Sequence, residues 1–374
     1  MRIAQVAPLF ESVPPKAYGG TERVVSYLTE ALVAMGHDVT LFASGDSITS
    51  AELVPIVERS LRLDPRHPDW LPWHTIMLDE VFRRAARFDV IHFHVDFLHY
   101  PMARRCPTPC LTTFHGRLDL PDLAPLHRHF ADVPVVSISD HQRQPLPHAR
   151  WMGTVYHGLP GGLYRFQPQP DDYFAFVGRI SPEKRVDRAI EISKACGTRL
   201  RIAAKVDEAD RRYFEQQIRP RLDDRLIEFV GEIDDRQKNE FIGRARALLF
   251  PIDWPEPFGL VMIEAFACGT PVIAFRCGSV PEVMVDGVTG FVVDTMEEAV
   301  AAARRVGQLE RRRCREVFDT RFTAPVMAER YLDIYRQLRV EWPTRATPGA
   351  WAGTAWRDEG AWRPAGLGHT PQVA

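Results

Sequence analysis

The sequence predicts an α/β protein built from two parallel-sheet domains, and three observations carry that prediction. First, short apolar runs alternate with helix-period patterns from the outset: Ile3 to Ala7 reads as a buried strand, Thr21 to Met35 as an amphipathic helix stopped by Gly36, and Asp38 to Ala43 as a second strand. Such a β-α-β opening implies a parallel sheet with right-handed crossovers. Second, a Pro- and Gly-rich stretch from Gly158 to Asp172 reads as a linker, and the alternation restarts beyond it at Tyr173. Third, 374 residues, 45% hydrophobic and 26% charged, are enough for two cores of ordinary composition.

Composition excludes several functions. A formal charge of −2 argues against nucleic acid as the main partner, since binding a phosphate backbone needs an excess of Lys and Arg. Six cysteines, at 106, 110, 196, 268, 277 and 314, lack paired C-x-x-C spacing, so neither a disulfide framework nor a zinc ribbon is indicated and a reducing, cytoplasmic setting is expected. The apolar run at Met1 to Pro8 is too short for a signal peptide, and no run approaches the roughly 20 apolar residues of a membrane span. Membrane contact is therefore expected to be peripheral at most.

In the first half, Tyr18-Gly19-Gly20 stands just before the first helix. Paired glycines let backbone amides approach a ligand and the helix start adds positive partial charge, though the same pair also reads as a plain turn. Leu61 to Trp73 reads as irregular ahead of a helix from about His74 to Phe88; Trp70 and Trp73 suit an acceptor-facing loop or ordinary packing equally. Asp89 to Phe93 is a strand ending in His92-Phe93-His94. An H-x-H pair on one strand face can bind metal, but no third ligand stands at a telling distance, so no metal site is assigned. A helix over Asp96 to Arg104 and a strand over Cys110 to Phe114 lead to His115-Gly116, at a strand end where open α/β sheets place ligands, although a lone His is often a packed one. Pro134 to Ile138 and Gly153 to Tyr156 are the last strands of this half.

The second half opens with the strand Tyr173 to Val177 and then Gly178-Arg179-Ile180-Ser181-Pro182-Glu183-Lys184-Arg185. Ser181 suits a helix cap and Pro182 its first turn. Arg179 and Lys184 then fall at a strand end and in the first helical turn. Cations there are unfavourable unless an anion joins them; the alternative is two solvated charges. After the strand Arg199 to Val206, helix Asp210 to Leu222, strand Ile227 to Val230, helix Arg236 to Arg244 and strand Ala247 to Phe250 comes Pro255 to Gly269, which opens an apolar helix from about Phe258. Glu256 lies between two prolines and Glu264 two turns into a helix otherwise of Leu, Val, Met, Ile, Ala and Phe. A carboxylate in so apolar a helix is expensive unless something binds it, and the amides of Phe258, Gly259 and Leu260 form a ready anion site. The competing reading pairs Glu264 with a core Arg and leaves Glu256 to close a turn. Strands at Val272 to Ala274 and Phe291 to Val293 and helices at Met296 to Val306 and Ala324 to Arg339 follow; residues 341–374, with Trp351, Trp356 and Trp362, read as a flexible tail.

The run Glu256 to Glu264, followed by Gly-Thr-Pro-Val-Ile-Ala at 269–274 and Gly278-Ser279-Val280-Pro281-Glu282-Val283, resembles glycosyltransferase family 4, whose E-x7-E signature it matches without a gap. The likeness runs from Met1 to about Arg339. It implies the GT-B architecture: two Rossmann-like domains facing across a cleft, an acceptor-side domain at 1–158, a nucleotide-sugar domain at 159–323, and a C-terminal helix at 324–340 crossing back to the first. It also implies a retaining enzyme that moves a sugar from a UDP- or GDP-sugar to a saccharide, lipid or small-molecule acceptor by a front-face route, with no cofactor and no metal. On the same footing Arg179 and Lys184 hold the diphosphate, Glu264 the ribose hydroxyls and Glu256 the sugar hydroxyls. Gly19, Gly20 and the Phe258–Leu260 amides bind the donor's phosphates or sugar, and His115 faces the donor sugar. No Asp-x-Asp stands at a strand end to hold a metal. Two departures stand out: His157 precedes Gly158 where members carry Asn, and Ala203-Ala204-Lys205-Val206-Asp207 replaces a common Gly-x-Gly turn. A nucleotide-sugar epimerase of this architecture and a non-catalytic nucleotide-sugar-binding protein are the rival readings.

Overall fold

Each half of the chain builds one all-parallel sheet whose strand order reverses near its middle. The computed structural model describes residues 1–16, 19–223 and 225–342; the expected tail from Pro343 onward lies outside them, as does Tyr18. Strands β1 (Arg2–Val6), β2 (Asp38–Ala43), β3 (Glu52–Pro55), β4 (Val90–Phe93), β5 (Cys110–Thr113), β6 (Pro134–Ser137) and β7 (Arg150–Thr154) form the first sheet in the order β3-β2-β1-β4-β5-β6-β7. The second sheet holds β8 (Tyr173–Arg179), β9 (Arg199–Lys205), β10 (Ile227–Gly231), β11 (Ala247–Phe250), β12 (Val272–Phe275) and β13 (Gly290–Val293) in the order β10-β9-β8-β11-β12-β13. These are Rossmann-like orders. The reversals fall between β1 and β4 and between β8 and β11, and crossovers leaving in opposite directions there open a crevice at the carboxyl ends of the strands.

Strands covered on both faces read as continuous apolar runs, and β4, β5, β11 and β12 are buried at every residue. The edge strand β3, Glu-Leu-Val-Pro with one buried residue, has no such signature and is not visible in the sequence. Several helices differ from expectation. The helix expected from His74 begins at Leu71, with Pro72 in its first turn, and ends at Arg83. The one expected over Asp96 to Arg104 shrinks to Tyr100–Ala103; Asp96 itself adopts a left-handed φ of 52° that a helix cannot include, and turns lead from it to Tyr100. The one expected over Asp210 to Leu222 is a series of short turns, with a π-turn at Phe214–Ile218 and a 3-10 turn at Arg219–Arg221, where Pro220 supplies no amide. A helix at Arg311–Arg321 escapes the sequence reading because only Cys314 and Phe318 of it are buried.

The helix Ala324–Glu341, capped by the Thr323 hydroxyl, crosses back onto the first sheet. Its buried Tyr331 and Tyr335 reach Thr113 of β5 (3.0 Å) and His92 of β4 (2.7 Å). The Pro- and Gly-rich stretch is docked rather than slack at its start. Leu159 exchanges backbone hydrogen bonds with Phe322 and Ala324 at 2.9 and 2.8 Å, and a Cβ on Gly158 would lie 2.3 Å from the Thr323 carbonyl oxygen.

Candidate active site

The loops after β8 and β11 meet at the second strand-order reversal. Arg179 is the last residue of β8. Ser181 does not cap a helix as expected: Pro182–Lys184 form a 3-10 turn, Arg185 takes a left-handed φ of 53°, and the helix proper runs Val186–Cys196. Lys184 therefore precedes the helix rather than lying in its first turn. Its ammonium forms an ion pair with the Glu256 carboxylate and lies 4.8 Å from the centre of a Trp254 ring, while the Trp254 indole nitrogen donates to Glu256 at 3.0 Å. Arg179 stands in a different set of contacts, with Glu183 at 2.7 Å, Asp210 at 3.7 Å and Asp207 at 3.8 Å. Asp207 follows β9, so the turn where the sequence departs from the family's glycines delivers a carboxylate to Arg179 instead.

Glu256 is held from behind. Gly278 has φ 56°, and a Cβ there would fall 2.3 Å from the Glu256 amide nitrogen and 2.4 Å from its carbonyl oxygen, so only glycine lets the two backbones approach this closely. Next to it, the Ser279 amide donates to the Glu256 carbonyl (3.0 Å) and the Ser279 hydroxyl to the Phe258 carbonyl (2.9 Å). The helix that follows runs Leu260–Cys268 between left-handed Gly259 and Gly269, and among the described residues no side chain caps its start. A helix start of this kind leaves first-turn amides available to an anion. Glu264, 4% exposed, pairs with Lys238 at 3.0 Å rather than with the arginine envisaged from the sequence. Lys238 sits on the helix Asp235–Gly243, which starts in a capping box of Asp234 and Gln237, and the adjacent Asp235 pairs with Arg23 of the first domain's helix Gly20–Ala34.

The first domain supplies the opposite wall. Gly19 caps the helix Gly20–Ala34 and lies so near Pro15 that a Cβ would approach its Cβ to 2.8 Å; a Cβ on Gly20 meets nothing within 4 Å among the described residues. Two carboxylates, Glu11 and Glu22, are buried in this region, and burial raises both carboxyls above their usual range. His115 follows β5. Its ring stacks on His157 (centroids 5.3 Å apart, 16° between planes), and His157 meets Phe258 edge-on at 4.8 Å, so a row of rings runs from the first domain into the second. Burial pushes the His115 imidazole down to about 3 and holds His157 well below its usual range, so both rings are neutral at physiological pH.

The structure thus joins Lys184 to Glu256, places Phe258, Gly259 and Leu260 at one helix start, and brings His115 to Phe258 through His157. Arg179 and Glu264 each belong to a separate polar group. Two further residues make contacts that the sequence did not reveal. Lys238 is one. Glu282 is the other: its carboxylate accepts from the amides of Asp140 (2.6 Å) and His141 (2.7 Å) and from the Tyr156 hydroxyl (3.3 Å) across the domain boundary. Glu282 stands in the run that resembles the family, but partners that are mainly backbone amides leave no signal in side-chain spacing. Among the described residues no group of three or more His, Cys, Asp or Glu is arranged to hold a metal ion, and no helix is long and apolar enough to cross a membrane.

Comparison with known proteins gives this geometry a family. The family described as Glycosyltransferase Family 4 matches residues 18–210, and that described as Glycosyl transferases group 1 matches residues 165–318. A glycogen synthase of Mycobacterium tuberculosis is 27% identical over 88% of this chain and 95% of its own length. Among solved structures, sucrose-phosphate synthase from Thermosynechococcus elongatus superposes with a TM-score of 0.74 at 19% identity, covering 91% of this chain and 99% of that one. Anabaena HepE in complex with UDP-glucose does so at 0.67 and 16%, covering 90% and 100%. Both likenesses concern the fold, two Rossmann-like domains of the GT-B type. With the family match spanning the boundary between the two sheets, the chain belongs to glycosyltransferase family 4 and is a glycosyltransferase.

Proposed function

We propose that the enzyme transfers a sugar from a nucleotide-diphosphate sugar to an acceptor hydroxyl, with retention at the anomeric carbon and without a metal ion. The observation that carries this reading is the meeting of Lys184 and Glu256 at the second strand-order reversal, beside a helix start that no side chain of the described residues caps. Breaking the bond between sugar and diphosphate leaves negative charge on the β-phosphate. Lys184, Arg179 and the Phe258–Leu260 amides are fixed positive groups for that charge, and such groups act most strongly where water is excluded. A diphosphate drawing Lys184 toward itself would release the Glu256 oxygens to accept from sugar hydroxyls. Glu264, held by Lys238, accepts from the ribose hydroxyls, while Gly19 and Gly20 let backbone approach the donor. The anomeric carbon–oxygen bond to phosphate breaks, the acceptor oxygen bonds to the same face, and the acceptor proton passes to the leaving phosphate oxygen. The UDP-glucose complex of HepE and the glycogen synthase relative favour a UDP-sugar donor and a saccharide acceptor.

The test is an assay of UDP-glucose, UDP-galactose and GDP-mannose with and without saccharide acceptors in excess chelator, following free nucleoside diphosphate and the anomeric configuration of the product by NMR. Acceptor-dependent diphosphate release, unchanged by chelator and yielding an α-linked product from an α-linked donor, is the expected result. Isomerised donor without diphosphate release would make the protein an epimerase. Activity lost in chelator and restored by magnesium or manganese would remove the metal-free route.

A further inference from the structure

The H-x-H pair at the end of β4 plays no part in the proposed transfer, yet both of its rings belong to an unbroken row of buried hydrogen bonds. Starting from the return helix, the Tyr331 hydroxyl lies 3.0 Å from Thr113 Oγ1, which is 2.7 Å from His92 Nε2. His92 Nδ1 is 2.7 Å from the Tyr335 hydroxyl, and the Gln5 amide nitrogen donates to that hydroxyl at 3.1 Å. Gln5 Oε1 is 2.8 Å from His94 Nε2, and His94 Nδ1 is 2.8 Å from His115 Nε2. Gln5, His92, Thr113, Tyr331 and Tyr335 have no exposed surface and His94 has 3%.

A neutral imidazole has one donor and one acceptor nitrogen, so along such a row each bond's direction fixes the next. Gln5 gives its amide protons to Tyr335 and turns its carbonyl oxygen to His94, whose Nε2 must then carry the proton. His94 Nδ1 is left as an acceptor, His115 donates its Nε2–H to it, and His115 Nδ1 becomes a bare lone pair. On the other side Tyr335, already accepting from Gln5, gives its only proton to His92 Nδ1; His92 gives its Nε2–H to Thr113, and Thr113 gives its proton to Tyr331. Burial keeps His92 and His94 neutral, so neither takes a second proton that would scramble the order. At the far end, His115 Nδ1 is buried and has no hydrogen-bond partner among the described residues.

We propose that Gln5, His94 and Tyr335 are positioning residues that hold His115 in the tautomer whose Nδ1 accepts a hydrogen bond, and that a substrate hydroxyl is the group this nitrogen takes. An acceptor shielded from water is costly when unpaired, so a sugar hydroxyl relieves it where a water cannot. The row also makes the tautomer depend on the seating of the return helix, which contributes Tyr331 and Tyr335. The hydroxyl's identity rests on the donor-site reading; the tautomer does not.

Nitrogen-15 NMR of the histidine-labelled full chain reads the tautomers directly, with His115→Asn and His94→Asn used to assign signals. In the unaltered protein His94 and His115 should both show protonated Nε2 and unprotonated Nδ1. In Gln5→Leu the two His115 nitrogens should move toward a common averaged position, and kcat should fall about tenfold, the size of one net hydrogen bond. Gln5→Glu, which still offers His94 an acceptor, should keep the His94 and His115 tautomers while inverting His92, because Tyr335 must now donate to the carboxylate. Tyr335→Phe covers the case in which Gln5 variants fail to fold: it frees the Gln5 amide to turn and should mix the His115 tautomer in the same way. A protonated Nδ1 on His115 in the unaltered protein, or His115 signals unmoved in both Gln5→Leu and Tyr335→Phe, would overturn the proposal. Correct tautomers in a protein that transfers no sugar would instead remove the donor-site reading and leave the row standing.

Discussion

An ammonium held between a carboxylate and an indole face is placed to exchange partners, and Lys184 is in that position with Glu256 and Trp254. If it takes up charge developing on a leaving diphosphate, removing it should lower turnover more than it weakens donor binding. Lys184→Ala and Arg179→Ala should each cost on the order of a hundredfold in kcat, the scale of deleting one fixed electrostatic donor. Lys184→Arg should rescue only in part, because a planar fork does not fill a site shaped for a point charge between Glu256 and Trp254. Initial rates at saturating donor check this: near-normal turnover in both alanine variants, with folding intact, would move the diphosphate elsewhere. Lys184, Glu256 and Glu264 were legible in the sequence because each is a charge in a place that disfavours charge, in a turn beside a helix start, between prolines, or inside an apolar helix. Lys238 was not legible. It lies in the polar helix Asp-Arg-Gln-Lys-Asn-Glu-Phe-Ile-Gly, where one more charge is unremarked until the fold lays it against Glu264.

Among the elements, legibility followed burial. Strands covered on both faces announced themselves, and β11 was located to the residue. The edge strand β3 and the helix Arg311–Arg321 did not, since each buries too few side chains to print a period. The return helix was expected from Ala324, where it begins, but what its start leans on was not legible. Gly158 packs against the Thr323 carbonyl and the Ala324 amide, and a Cβ would lie 2.3 and 2.9 Å from those atoms. All the close neighbours are backbone, so no side chain can swing aside. Gly158→Ala should therefore destabilise the protein by about 1–3 kcal/mol, the usual scale of overpacking. The measurement is the denaturant midpoint, with Gly161→Ala as control because a Cβ there meets nothing within 4 Å among the described residues. Equal midpoints for the two variants would mean that the stretch yields easily and does not fix the return helix.

For the molecule as a whole, the number of imidazoles buried in the first domain makes stability depend on pH. Burial drives His99 down to about 3 and His127 down to about 4, and holds His92 and His94 well below the ordinary value. In the unfolded chain each takes up a proton near pH ~6.5, so between that value and the native ones the unfolded state binds more protons and stability falls as pH falls. From pH 7 to pH 5 each such histidine forfeits about 2 kcal/mol, and three together, about 6 kcal/mol, exceed the low end, about 5 kcal/mol, of ordinary net stability. The thermal midpoint should hold steady above about pH 7 and drop steeply between about pH 6 and 5. A midpoint at pH 5 within a few degrees of that at pH 7.5 would show that these rings take protons without unfolding. The same buried side chains bear on how the protein is made. β1 to β7 are all synthesised once Thr154 is translated, but Gln5, His92 and Thr113 meet Tyr335 and Tyr331 only when Ala324–Glu341 emerges. The nascent first domain must wait, with an open and partly polar groove, while the whole second sheet is synthesised, and a premature stop anywhere before the last helix leaves the row of side chains behind His115 without its anchor.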